Sequence, residues 1–463
     1  MRKGDNKMSY YANEKNNKAG KIIVLAAIAA VIALLLAAIA AYGRANRPIE
    51  TADQLVEHIE KTPVIEGAKT VSEALLSWKI PEFDPELLMT IEVCYEAYYY
   101  KDLPSVSELA RDTAIFFANN YFESCNKEDL TEISYAMVYS YIGAIGDPYS
   151  SYRTAEEFED YSGDLSGVFA GIGVHVEKNL SNGCIRIVRA IVDSPAAAAG
   201  VETGDLIIGV DGFSVAEIGY KRAIELIRGE IGTSVNITVM RGDEQLDFTI
   251  TRATVVEQSV IYELLADNVA LITITSFKAN TAKQFNEAID RAEADGARGI
   301  VFDLRSNPGG YVSAICNSLS YLVPNGTPIA SFSNDKSASV ATDGTAIEPT
   351  DHVLSLPSVV ICNEYTASAG ELFAAAMRDY ANMELIKCTI VGHTTYKKGV
   401  MQSSLTFESG AALTLTTAYY NPPSGVNYDG VGVVPDVILP DTAEDGDFMS
   451  AALAELEKII AAN

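Results

Sequence analysis

The chain has 463 residues, too many for one compact domain at roughly 100–200 residues each, and 48% of it is apolar, enough for more than one buried core. Its formal charge of −28 is unevenly placed: residues 1–47 carry eight Lys/Arg against Asp5 and Glu14, which leaves −34 on the rest. A body that acidic repels phosphate backbones, so nucleic acid is excluded as a partner.

A basic tail, residues 1–21, precedes Ile22 to Tyr42, a run of 21 uncharged residues rich in Leu, Ile, Val and Ala. As a helix this run is long enough to cross a hydrocarbon core of about 30 Å. The tail outweighs Arg44 and Arg47 behind the run. That predicts a single-pass plasma-membrane anchor, with the N-terminus cytoplasmic and the body outside, at the outer face of a bacterial membrane. Ala38-Ile39-Ala40 also reads as a signal-peptidase site, but the run exceeds the ~7–15 residues of a signal h-region, so a retained anchor is expected.

Residues 44–160 read as a helical region, with apolar spacing for helices over 50–62, 86–100, 103–124 and 128–145. Tyr95, Tyr98, Tyr99 and Tyr100 fall together and read as a packing face. Asp147-Pro-Tyr-Ser-Ser-Tyr152 ends the helical pattern with a turn.

From 165 to 255 short β-branched runs separated by Gly, Asp and Asn, with a helix at 217–228 and a strand at 233–240, predict a compact mixed domain. In Gly167-Val-Phe-Ala-Gly-Ile-Gly-Val174 two glycines let successive N–H groups converge on an anion, and the strand that follows can accept an extended peptide at its edge. With the later Asp193-Ser-Pro-Ala and Thr-Gly-Asp205 turns, this segment resembles a PDZ domain. The resemblance implies recognition of a free C-terminus by Gly171, Ile172, Gly173 and Val174. His175 reads as an ordinary strand residue.

Residues 256–441 alternate strands (269–274, 299–304, 358–362, 389–391, 412–417) with helices (281–294, 312–322, 370–381), the pattern of α/β layers. The polar stretch 333–350 reads as a surface loop. Within the closing segment 442–463, residues 446–461 read as a helix. The six cysteines form no C-x-x-C pair and no metal-ligand spacing, and their spacing leaves any disulfide open. No cofactor or metal is implied.

The chemistry is concentrated in Asn363-Glu-Tyr-Thr-Ala-Ser-Ala-Gly-Glu371 and Thr395-Tyr-Lys-Lys-Gly-Val-Met-Gln402. A serine between alanines can sit at a tight strand-to-helix turn with its oxygen uncovered. A lysine among small and apolar residues can lose enough hydration to become a neutral base. Asp303-Leu-Arg-Ser-Asn-Pro-Gly-Gly310 ends a strand in a turn whose glycine N–H groups are free to meet an oxyanion, as is the N–H of Ala369 at a helix start. Serine chemistry based on histidine finds no triad-like setting around His58, His175, His352 or His393.

These motifs, in this order behind a PDZ-like segment, resemble the carboxyl-terminal processing peptidases, or tail-specific proteases, over about residues 90–440. Together with the transmembrane helix and helical N-terminal region read above, the resemblance gives an α+β multidomain chain with a PDZ domain and an α/β serine peptidase core of the crotonase/ClpP-like kind. It assigns the nucleophile to Ser368, the general base to Lys398, the glutamine that holds the lysine to Gln402, and the oxyanion donors to Gly309 and Ala369. The family's Gly-Lys-Gly is replaced by Lys397-Lys398-Gly399 here, which makes Lys397 a rival; Gln402, four residues after Lys398, favours the latter. Protein or peptide substrates with free C-termini are the implied partners, and a homo-oligomer is left open. Two other readings use the same residues: a tethered PDZ scaffold with an inactive core, and a crotonase-like acyl-CoA enzyme. The last is disfavoured for an exported body, because acyl-CoA is scarce outside the cell.

Overall fold

A computed structural model describes residues 49–178, 183–333 and 350–462. The expected tail, the anchor at 22–42 and most of the polar loop at 333–350 lie outside the described residues. Among those described, no helix is long and apolar enough to cross a membrane.

The helical region holds α1 (Ala52–Lys61), α2 (Val71–Leu75), α3 (Pro85–Tyr98), α4 (Val106–Asn120) and α5 (Leu130–Ile145). Each starts on a residue, Thr51, Thr70, Asp84, Ser105 or Asp129, whose side chain accepts a backbone N–H of the first turn, a cap worth about 1 kcal/mol. The caps explain why three helices begin two or three residues inside their expected windows. α2, which apolar spacing missed, was marked by Thr70 and Glu73 three residues on. Leu55, Leu75, Tyr95, Phe117 and Tyr141 share one core with Leu413 and Leu415 of a later strand.

β1 (Ser151–Arg153) and α6 (Ala155–Ser166) follow, then β2 (Val168–Gly171). Next come β3 (Val174–Lys178), β4 (Ile185–Ala190), α7 (Pro195–Ala198), β5 (Leu206–Val210), β6 (Phe213–Ser214), α8 (Val215–Ile227), β7 (Ser234–Arg241) and β8 (Glu244–Thr251). Their sheet runs β3-β4-β5-β7-β8 with β6 on β5, so β3 is an edge strand. The chain leaves by β9 (Ala253–Val256), which pairs antiparallel with β2. Entry and exit thus form one two-stranded stalk.

The last part holds β10 (Val260–Leu264), β11 (Val269–Ile274), α9 (Thr281–Ala294), β12 (Gly299–Asp303), α10 (Val312–Ser320), β13 (Ser331–Ser333), β14 (Ser358–Cys362), α11 (Ala369–Asn382), β15 (Cys388–Gly392), β16 (Val400–Thr406), β17 (Ala412–Asn421), β18 (Val437–Ile438) and α12 (Asp445–Ala461). The main sheet is ordered β10-β11-β12-β14-β15-β18, parallel except at β10. Because successive side chains face opposite ways, Ile300, Phe302, Val360 and Cys362 join Phe285 and Phe373 on one face, while Val301, Val359 and Ile361 join Phe448 and Leu456 of α12 on the other. β16 and β17 form a second sheet with β1 and β13. β10, β13, β16 and β18 were not expected from the sequence. No disulfide joins the six cysteines.

Candidate active site

β14 enters α11 through a braced turn. Asn363 N–H donates to Thr366 Oγ1 (3.0 Å), Thr366 Oγ1 donates to the Leu304 carbonyl (2.8 Å), and Ala367 N–H donates to the Asn307 carbonyl (2.8 Å). The turn delivers Ser368 at φ 54°, ψ −118°, a conformation that costs a residue with a Cβ on the order of 1–3 kcal/mol. Gly309, at φ 100°, packs against it so closely that an added Cβ would lie 2.7 Å from Ser368 Cβ and 2.9 Å from Ala369 N.

The lysine loop is tied to this turn by one carboxylate. Fully buried Glu371 accepts the N–H of Ser368 (2.9 Å) and of Lys398 (2.8 Å) on Oε2. Its Oε1 accepts the Lys397 N–H (2.7 Å) and Thr395 Oγ1 (2.5 Å). Burial pushes the Glu371 carboxyl above its ordinary range, against these four donors. Tyr396 N–H, donating to the Thr366 carbonyl (2.9 Å), adds a second tie.

Ser368, Ala369, Gly309, Lys398 and Gln402 all line one cavity of about 460 Å³. Lys397, at φ 84°, lines an adjoining cleft of about 400 Å³ with Tyr99, Tyr100 and Asp429. Burial lowers the Lys398 pKa, against the attraction of Asp147 and Glu371. Ser368 Oγ and Lys398 Nζ share the cavity without a hydrogen bond between them among the described contacts: Ser368 Oγ lies 3.2 Å from Tyr420 Oη, and Lys398 Nζ stands 4.6 Å from the Tyr149 ring centroid. Gln402 Nε2 donates to Thr416 Oγ1 (3.1 Å) across β16 and β17. The Gly309 N–H donates to Asn307 Oδ1 (2.8 Å). Ala369 opens α11, where the helix dipole is positive.

None of the four histidines lines this cavity. His175 pairs with Glu257, His352 with Glu293 and His393 with Glu364, while His58 contacts Thr62. Among the described residues no group of three or more His, Cys, Asp and Glu is placed to hold a metal.

The opposite wall includes Phe158, Tyr161 and Leu165 of α6, a helix without a fully buried residue. It is held by ion pairs: Glu156 to Lys221 and Asp160 to Arg228 on and beside α8, and Asp164 to Lys278. The helix that covers the cavity is therefore fastened both to the small domain and to the core.

Gly171, Ile172, Gly173 and Val174 lie apart from the cavity, at the start of edge strand β3. The Ile172 carbonyl accepts Ala196 N–H (2.8 Å), and the Gly173 carbonyl accepts Ile191 N–H (2.9 Å) and Ser194 Oγ (3.1 Å). An added Cβ on Gly173 would lie 2.3 Å from Ser194 Cβ. The loop is thereby pinned by its carbonyls beside the open edge of β3.

Sequence reasoning missed Glu371, Tyr420 and Tyr149. Glu371 had a signal, Ser-x-x-Glu at a helix start; for the two tyrosines only the fold brings their rings to Ser368 and Lys398.

Two family models match parts of the chain. A model of peptidase family S41 matches residues 268–439, and a PDZ domain model matches residues 186–241. The chain is similar to a probable CtpA-like serine protease of Staphylococcus haemolyticus, 33% identical over 319 residues that make up 69% of this chain and 62% of that protein. It is also similar to the carboxy-terminal processing protease CtpA of Bacillus subtilis, 33% identical over 329 residues, 70% of this chain and 68% of that one. It spans about 62% of the length of the staphylococcal relatives. Among solved structures, a photosystem II D1 C-terminal processing protease aligns with 76% of this chain and 92% of its own at 22% identity and a TM-score of 0.45.

Proposed function

Since the chain belongs to peptidase family S41, the carboxyl-terminal processing peptidases, and carries a PDZ domain, we propose that it is a membrane-anchored serine endopeptidase that cleaves exported proteins whose C-termini are held by the PDZ domain. The anchor is residues 22–42, which would hold the catalytic body at the outer face of a bacterial plasma membrane. One observation carries the catalytic part: Ser368 and a desolvated Lys398 line the same cavity, with their backbones clamped to a single carboxylate.

In the proposed cycle neutral Lys398 takes the Ser368 proton while Oγ attacks the scissile carbonyl. The N–H of Ala369 and of Gly309, once released from Asn307, meet the oxyanion. The ammonium then protonates the leaving amine, and a water deprotonated by Lys398 attacks the acyl-enzyme to give the acid product and free Ser368. A free lysine near pKa 10.4 must shed ~3 units to act near pH 7, about 4 kcal/mol, which is why its burial matters.

The scaffold reading, with an inactive core, is favoured by two bonds: Ser368 Oγ with Tyr420, and Gly309 N–H with Asn307. Each is one that a substrate carbonyl can replace, and apo sites commonly tighten only on binding. Cleavage of a peptide with a free apolar C-terminus, and labelling by a fluorophosphonate, are expected of the native chain. Cleavage should disappear in Ser368→Ala and in Lys398→Ala. Native cleavage in either variant rejects the dyad, and an unlabelled native serine leaves the scaffold.

A further inference from the structure

The wall behind Lys398 is built by a turn from far earlier in the chain. Tyr149, in Asp147-Pro-Tyr-Ser-Ser-Tyr152, holds its ring centroid 4.6 Å from Lys398 Nζ, inside the ~6 Å within which an aromatic face attracts an ammonium. The turn is braced from both directions. Asp147 accepts Tyr149 N–H (3.2 Å) and the Ser150 hydroxyl, Ser150 Oγ accepts Thr416 N–H (3.0 Å), and Thr416 Oγ1 accepts Gln402 Nε2 (3.1 Å). The ring's place is thus set by β17 and by β16, the strand that begins two residues after the lysine. Tyr149 also packs against the cluster of Tyr100, Val400 and Tyr419, which blocks its retreat.

We propose that Tyr149 is a positioning residue for the general base: its ring seats Lys398 Nζ on the cavity wall and stabilises the ammonium that exists between proton abstraction and leaving-group protonation. The inference rests on the Ser–Lys reading and deepens it. A buried lysine starts neutral because the walls strip its water, yet it must carry a proton for part of each cycle. The ring acts on that charged form and does not compete for the proton as a carboxylate would. The charged groups that face Lys398 are Asp147 from the same turn and Glu371 from α11. Lys397 and Asp429 share the adjoining cleft with Tyr149, and Tyr420 of β17 lies on the serine side. The bracing chain also gives Gln402 a role without direct contact with the lysine: it fixes Thr416, which fixes the turn.

The test is the pH dependence of kcat and kcat/KM for the full chain on a peptide with a free apolar C-terminus. Tyr149→Leu is expected to lower kcat about 2- to 30-fold and to move the acidic limb of kcat/KM down by about 0.4–1.5 pH units, because the lost ring no longer favours the ammonium. Tyr149→Phe is expected to keep both, and Tyr149→Trp, with the stronger face, to hold or raise the limb. An unmoved limb in the Leu variant overturns the seat, as does a Phe or Trp variant whose limb falls below that of the native chain. The aromatic variants decide the matter where the Leu variant does not fold. Lys398→Ala separates the two levels: if it cleaves at the native rate, the Ser–Lys reading fails, whereas an inactive Lys398→Ala beside an unmoved Leu profile fails the seat alone.

Discussion

Two buried carboxylates join distant parts of this molecule, and they do it with opposite kinds of partner. Glu371, at the Ser368 turn, is held by three backbone N–H groups and a hydroxyl. Glu257, where the PDZ stalk meets the core, is held by cationic side chains: Lys278, Arg189 Nη2 at 3.0 Å and, when protonated, His175 Nε2 at 3.2 Å. Burial alone would raise the Glu257 carboxyl, but hydrogen bonds from His175 and Lys278 and their charges outweigh it and hold the group at about 2. At Glu371 burial wins, and the carboxyl stands above its usual range. Neutral donors tie the Ser368 turn to the Lys398 loop without bringing a cationic side chain onto the carboxylate between them. The joint between the PDZ stalk and the core uses charge instead.

The largest expected effect comes from removing the neutral clamp. Glu371→Ala leaves three buried N–H groups without an acceptor, each costing about 1–3 kcal/mol, and releases the lysine loop from the serine turn. A misplacement of about 1 Å costs on the order of 10²-fold, so kcat/KM should fall at least that far, together with the unfolding midpoint. Native kinetics in this variant would mean that the loop is held by Tyr396 and the sheet alone.

Glu257→Gln tests the other side of the contrast. It leaves buried Lys278 with Asp164 at 3.3 Å as its remaining carboxylate, a loss smaller than the roughly 3–5 kcal/mol of a fully unpaired buried charge, and the damage should fall on the stalk. Fluorophosphonate labelling of Ser368 should persist, while protease nicking near 165–171 and 253–259 increases. Unchanged nicking would show that α6 and the β2–β9 stalk suffice to hold the joint.

Acid separates the two carboxylates by sign. Glu257 is depressed from 4.5 to about 2, so its contribution, on the order of 3 kcal/mol, is complete above about pH 4.5 and is lost as pH falls towards 2. Glu371 is shifted the other way and gives up nothing over that window. His175, Arg189, Lys278 and Asp164 are the charged or titratable groups around Glu257. Denaturant titrations of the native chain and Glu257→Gln should differ at pH 6, keep somewhat less than half of that gap at pH 3 and converge only below about pH 2; a gap that stays undiminished at pH 3 assigns the stability to packing.

The same contrast separates what could be read in the chain from what could not. Ser368, Lys398, Gln402, Gly309 and Ala369 come from short motifs, and the structure puts all five on one cavity. Helix starts were legible within a few residues because Thr, Ser and Asp caps are local chemistry. β16 was not, because its half-exposed Val-Met-Gln-Ser-Ser-Leu-Thr run shows no clean alternation. α6 fell across an expected domain boundary because it buries nothing fully and so has no strong apolar period. The seat of Lys398 was illegible for a deeper reason: Tyr149 reads as part of a turn until β17 brings that turn against the lysine loop.

A smaller effect is expected at Tyr420, which touches both sides of the neutral clamp. Its buried hydroxyl lies 3.2 Å from Ser368 Oγ and 3.2 Å from the Lys398 carbonyl. A hydroxyl has one proton, so it serves one acceptor well at a time. Tyr420→Phe takes a donor from Ser368 Oγ, leaving the lone pair freer to attack and the serine's own proton free to turn towards Lys398. The lost bond is worth about 1 kcal/mol, so fluorophosphonate labelling should rise about fivefold, with little change in the unfolding midpoint. A fall in labelling as deep as that of Glu371→Ala would instead make the Tyr420 hydroxyl part of the proton path, and the clamp would then hold three reacting groups where two are assigned.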